Sequence, residues 1–195
     1  MASREQQREE TRRRLYESAL AIFRRDGVSA CRTEDIAKAA GVSRASFYFH
    51  FPTKEHVLLE RMSETEAEIC AAIEALPEGA SINQILATFN KALARVWEHD
   101  PHLLPDLAGA ALRFTATAMS DQEATPLRAR LAACFRVAIE RGEIRARLPP
   151  QTLGDLYLGN TLGGLLAWYG NPVMSLEAVL GAVTDLFWNG AKAPS

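Results

Sequence analysis

Residues Thr33 to Lys54 read TEDIAKAAGVSRASFYFHFPTK, and this stretch decides the fold. Thr33 followed by Glu34 and Asp35 predicts a short helix: a hydroxyl N-cap, then acids that the helix dipole favours. Ile36, Ala37 and Ala40 supply its inner face. Gly41 permits a sharp turn, Val42 is placed to pack between helices, and Ser43 caps a second helix running to about His50. Two short helices so joined have the length and chemistry of a helix-turn-helix. The second is built unlike a core helix: Arg44, Ser46, Tyr48 and His50 are hydrogen-bonding groups, with Phe47 and Phe51 left as anchors. In such a unit the second helix enters the major groove of DNA. Arg44 then suits a guanine edge, while hydroxyl and imidazole groups suit phosphate oxygens. Lys54 opens a long helix, where its ammonium and the free N–H groups are expected to face one phosphate.

Working outward, almost every segment reads as helix. Leu15, Ala19, Ile22 and Phe23 recur at 3–4 spacing over Glu9–Arg25, and Asp26-Gly27 ends that stripe. Thr53 is expected to cap the helix after the decisive stretch, which ends near Pro77. Ser81 caps another to about His99. Asp100-Pro101 starts one reaching about Met119, with a kink expected at Pro105. Thr125-Pro126, Pro149-Pro150 and Ser175 start three more, ending near Arg141, Gly170 and Asn189. The expected fold is all-α with about nine helices. A helix-turn-helix head over 1–53 precedes a larger helical domain over 54–195.

The 195 residues carry a net charge of −2, which taken whole argues against a polyanionic partner. The total hides a division: residues 1–62 carry +3 and the remainder −5. Such asymmetry is a hint of an interaction module at one end. Cys31, Cys70 and Cys134 are odd in number and widely spaced. They read as reduced, mostly buried thiols of a cytoplasmic protein. The charged N-terminus lacks the apolar core of a secretory signal, and no run of apolar residues suffices for a membrane span. His99 and His102 straddle a helix boundary without further ligands, so no metal or other cofactor is expected. GxSxG, Walker A, GxGxxG and HExxH patterns are lacking, which argues against an enzyme.

Ile36-Ala37-x2-Ala40-Gly41-Val42-Ser43, then Phe47-Tyr48-x-His50-Phe51, then Lys54-Glu55, resembles the signature of the tetracycline-repressor (TetR) family of transcriptional regulators. The resemblance covers roughly residues 11–62. Ala45 stands where that family usually has Gly, and Thr53 where it more often has Ser. The resemblance implies a homodimer with a DNA-binding head and a C-terminal domain that binds a small molecule and pairs with its twin. It also implies that Thr33, Arg44, Ser46, Tyr48, His50 and Lys54 face an operator in double-stranded DNA, with Ser43 and Ala45 at the same helix start. Phe49, at the variable position, is suited to a thymine methyl, and Arg12 to Arg14 to the DNA backbone. The alternative is a helical small-molecule-binding or interaction protein whose helix-turn-helix no longer binds DNA.

Large side chains are unevenly spread in the second domain. Phe89, Trp97, Phe114, Phe135 and Trp168, with polar Asn90, His102, Arg113 and Asn160 among them, are the expected lining of an enclosed, largely apolar effector pocket. The competing reading of each is ordinary core packing. For pairing, the expected surface comprises Leu156, Gly159 and Gly163 on one helix and Leu176, Val179, Val183 and Phe187 on the next. Small residues one turn apart allow close helix approach, and two such helices from each chain form a four-helix interface.

Overall fold

Ser3 starts the first helix. Its hydroxyl accepts from the Gln6 N–H, while the Gln6 side chain accepts from the Ser3 N–H, a reciprocal capping box. Helix α1 therefore spans Arg4–Asp26, beginning a turn and more before the apolar stripe predicts. Side chains 3–10 are all exposed, so the cap and not burial fixes this beginning. The computed structural model describes residues 3–110, 125–144 and 147–191. Within them the secondary structure is helical throughout.

Gly27 leaves α1 at φ +79° and returns its N–H to the Phe23 carbonyl. Helices α2 (Thr33–Ala39) and α3 (Arg44–His50) follow. Gly41 takes φ +68° between them, which an L side chain adopts at a cost. Ser43 caps α3 as expected, accepting from the Ser46 N–H at 3.1 Å. Thr33 is not a cap: Arg32 occupies that position, and the Thr33 hydroxyl meets the Tyr48 hydroxyl at 3.2 Å. Helix α4 (Glu55–Glu74) likewise starts from Lys54 instead of Thr53, whose hydroxyl turns to His56 Nδ1. Ser81 caps α5 (Ile82–His99) with a second capping box through Gln84. A 3-10 turn, Pro101–Leu103, leads into α6 over 104–110. Pro105 sits in the first turn of α6, where a missing N–H costs nothing. The expected reach to Met119 lies outside the described residues. Helices α7 (Pro126–Glu140), α8 (Pro150–Gly170) and α9 (Leu176–Ala191) start at the proline and serine signals.

Two cores result, and they are continuous. In the head, Leu15, Ala19 and Phe23 of α1 close over Ile36, Phe47 and Phe51, with Val57 and Leu58 of α4 beneath. In the body, α5 is enclosed by α4, α7 and α9, and α8 packs between α7 and α9. Rings of Phe89, Phe135, Tyr157 and Phe187 meet edge-on or tilted at centroid distances of 5.3–6.3 Å. A buried polar cluster pins these helices in register. Asn90 donates to the Leu180 carbonyl and the Thr184 hydroxyl, and accepts from the Tyr157 hydroxyl. Burial holds that phenol protonated, its pKa pushed up to about 12.

Polar contacts join head to body at two places: on α4, Glu60 pairs with Arg12 and Glu64 accepts from the Tyr16 hydroxyl, and a second group lies where α1 ends. Arg24, on the last turn of α1, forks onto the buried Asp100 carboxylate with three contacts of 2.6–3.0 Å. The Val28 N–H donates to Asp106 at 3.2 Å. Lys54 Nζ donates to the carbonyls of Val28, Ser29 and Cys31 at 2.6, 3.3 and 3.0 Å.

Candidate nucleic-acid interface

Helix α3 owes its position to two rings on one side. Phe47 and Phe51 have no exposed surface, and their rings lie 5.8 Å apart. Burying each stabilises the head by about 1.5–3 kcal/mol. Everything else on α3 is turned outward: Arg44, Ala45, Tyr48 and Phe49 are exposed and Ser46 and His50 half-buried. Ser43, just before it, is exposed too. The sequence-derived set on this helix is thus brought together on one surface.

Arg44 lies over the Tyr48 ring at 5.5 Å and pairs with Glu34 of α2 at 2.8 Å. Both partners of that ion pair are exposed, so it contributes only about 0.2–1 kcal/mol and is readily exchanged for another acceptor. The Tyr48 phenol is held below its ordinary pKa by the Thr33 hydroxyl and the Arg44 guanidinium. Beside it runs an open groove of about 350 Å³ whose walls include Arg32, Thr33, Tyr48, Thr53 and Lys54. Glu34 and Glu55 also line it, so the hydroxyls of Thr33, Tyr48 and Thr53 are its donors suited to phosphate oxygens, beside carboxylates that a polyanion has to avoid.

His50 sits where α1 crosses the end of α3. Burial, then Arg12 and Arg8, hold its pKa below the ordinary value, so the ring is neutral at pH 7. Arg12 donates to the His50 carbonyl at 2.6 Å, pairs with Glu60, and lies over the Phe51 ring at 4.3 Å. Its cation braces α1 against α3 and α4, while Arg13 and Arg14 are exposed. Lys54 differs from expectation in the same way. Its ammonium is directed inward, gathering the three carbonyls of the α1–α2 loop, because that loop otherwise leaves acceptors without donors. Arg8 was missed by sequence reasoning: its guanidinium lies 5.1 Å from the Phe49 ring centroid. The signal was the four-residue spacing of Arg4, Arg8 and Arg12, which places them on one face.

The residues expected to line a pocket are dispersed. Phe89, Trp97 and Phe135 are buried in the core. Asn160 is corrected: it is exposed and donates to the Leu156 carbonyl one turn back, since α8 turns it away from the body. His102 is exposed on the 3-10 turn, and Trp168 donates from Nε1 to the Met174 carbonyl. Arg113 and Phe114 lie outside the described residues.

The expected pairing surface divides. Leu156, Gly159 and Gly163 are exposed on α8. Leu176 is corrected: it has no exposed surface, because it starts α9 against α5, where its N–H donates to Glu98. Phe187 belongs to the aromatic cluster of its own core. Val179 and Val183 are half-buried. A Cβ on Gly164 would meet Val183 at 2.9 Å, whereas one on Gly163 would meet nothing. The two neighbours therefore mark the packed and the open face of α8.

Among the described residues no group of His, Cys, Asp or Glu is arranged to hold a metal, and no helix is long and apolar enough to cross a membrane. Residues 15–60 match the family of bacterial regulatory proteins described as tetR. The chain is similar to the HTH-type transcriptional regulator AcrR of Shigella flexneri, 39% identical over 64 residues, 33% of this chain and 30% of that one. It is also similar to the nucleoid occlusion factor SlmA of Marinobacter nauticus, 29% identical over 154 residues and 75% of each. Alignments span 24–38% of the length of the first curated relatives. Among solved structures, Thermus thermophilus FadR, a TetR-family repressor crystallised with lauroyl-CoA, superposes with a TM-score of 0.73 at 25% identity. That match covers 94% of this chain and 98% of that one. The head thus matches the tetR family of bacterial regulatory proteins over residues 15–60, and both domains share the architecture of a solved TetR-family repressor.

Proposed function

We propose that this chain is a repressor that binds a two-fold symmetric operator as a homodimer and leaves it when a small, largely apolar molecule binds. The observation that carries the reading is the one-sided construction of α3, with Phe47 and Phe51 buried, Arg44 and Tyr48 exposed, and Ser46 and His50 half-buried at its edges. In the groove, Arg44 exchanges Glu34 for a guanine edge. Thr33 and Tyr48 donate to a flanking phosphate, and Lys54 holds the loop behind them in place. Pairing uses the exposed face of Leu156, Gly159, Gly163 and Leu166 on α8 with Leu186 on α9. The two heads are then carried at one fixed spacing, matched to half-sites a helical turn or more apart. An effector weakens operator binding only by its differential affinity for another spacing. The acyl-CoA complex of Thermus thermophilus FadR favours a long apolar effector.

The salt dependence of operator binding tests this. Log K should fall steeply with log salt, each neutralised phosphate contributing a slope of about −0.9. Absence of salt-sensitive binding to any genomic fragment sinks the reading in favour of a helical binding protein that has lost its DNA. The broad match to SlmA, a nucleoid occlusion factor, favours a second version, a nucleoid-type regulator, read here as one without an effector. It predicts that no acyl compound changes operator affinity.

A further inference from the structure

The first two turns of α1 bury nothing, yet they are not free of the head. Arg8 and Arg12 lie one turn apart on one edge and are laid over successive aromatic rings at the end of α3. Arg8 is 5.1 Å from the centroid of Phe49, and Arg12 is 4.3 Å from that of Phe51. The two rings have opposite fates. Phe51 is wholly buried, whereas Phe49 is 67% exposed. On another side, the His50 ring stands edge-on to Phe49 at 5.1 Å and 86°. A large apolar ring is thus held by two polar neighbours with most of its surface bare, on the helix that faces DNA. Arg8 itself is exposed and carries no carboxylate partner among the described residues.

Resting on the DNA-binding reading, we infer that Arg8 and Phe49 act as one reading unit: the ring meets a thymine methyl while the guanidinium pairs with an adjacent phosphate. The thymine methyl is the apolar group on the floor of the major groove. A phenylalanine offers no hydrogen bond, so a base edge can reward it only through that methyl. The guanidinium holds the ring in place, leaving its own N–H donors free to meet phosphate oxygens. Arg8 is therefore a positioning residue for base readout as well as a backbone contact. The expected length of α1, starting at Glu9, would have omitted it.

The test uses the full chain and an operator recovered by selection from genomic fragments, with each thymine replaced in turn by deoxyuracil. The unaltered protein should lose about fourfold in affinity at one thymine per half-site, the worth of one buried methyl. Phe49→Ala should bind thymine and deoxyuracil operators alike. Arg8→Ala should reduce the log–log salt slope by about 0.9 per head and shrink the methyl discrimination. Both side chains are exposed, so unchanged melting curves identify a folded variant. Steep salt dependence with no thymine methyl detected, or discrimination kept by Phe49→Ala, overturns the inference while leaving DNA binding intact. An unchanged slope for Arg8→Ala overturns its phosphate half. Failure to bind any fragment overturns both readings together.

Discussion

Helix α3 and the outer face of α8 and α9 both present apolar side chains to solvent, and they do so in different company. On α3 the exposed rings lie beneath cations: Arg44 over Tyr48 and Arg8 over Phe49. On the C-terminal face, Leu156, Leu166 and Leu186 lie among small residues, Gly159, Gly163 and Ala182. Rings paired with cations suit a polyanion that carries an occasional methyl group. Leucines beside glycines suit another helix at close approach. Exposed apolar area therefore indicates a partner, and its neighbours indicate which kind.

The comparison breaks most visibly on the packed side of α3. Phe51→Ala should destabilise the head by about 3–5 kcal/mol, because the ring is wholly buried. Denaturant unfolding of the full chain, with Trp97 and Trp168 reporting on the body, should show the head melting first. A single transition at unchanged denaturant would mean the ring anchors nothing. On the C-terminal face, Gly163→Glu should turn a dimer into a folded monomer, since nothing within 4 Å of the new Cβ obstructs it. An unchanged sedimentation profile refutes the assigned face. Gly164→Ala is the control of opposite type: Val183 must move, so stability falls while pairing holds.

Smaller effects sharpen the reading of α3. Arg44→Ala should relax preference at one base pair by about 1–3 kcal/mol, measured across single-base operator variants. Uniform weakening instead would assign Arg44 to phosphate. The least effect concerns pH. The unfolded His50, with an ordinary pKa of 6.5, binds a proton that the folded ring resists. Stability should therefore fall as pH drops below about 6.5. His50→Gln should remove that part of the slope, and an identical pH profile would show that the ring does not titrate on unfolding.

The decisive stretch, Thr33 to Lys54, was legible because its signals are local. Gly41 must bear a positive φ, Ser43 caps the helix that it precedes, and Phe47 and Phe51 share one face. Helix starts at Ser81, Thr125 and Ser175 were legible for the same reason. Side chains that reach across the fold were not. Lys54 looks like a surface cation in sequence, and only the return of the α1–α2 loop turns it inward. Thr33 resembles a cap until Tyr48, fifteen residues away, takes its hydroxyl. Leu176 fits an apolar stripe equally well on either side of α9, and its contact with α5 decides which. Arg8 carries no apolar signal at all, so periodicity passes over it.

The Arg24–Asp100 fork and the hold of Lys54 on three carbonyls bear on modularity. A break in the chain after residue 53 looks like a natural seam, yet it would strand a guanidinium, three carbonyls and the Val28 N–H at once. The head is thus not a cassette to be spliced onto any body. A chimaera that keeps this head should also keep Lys54, Asp100 and Asp106. Recombination among such regulators, natural or engineered, is constrained at this junction more than at the DNA-facing surface.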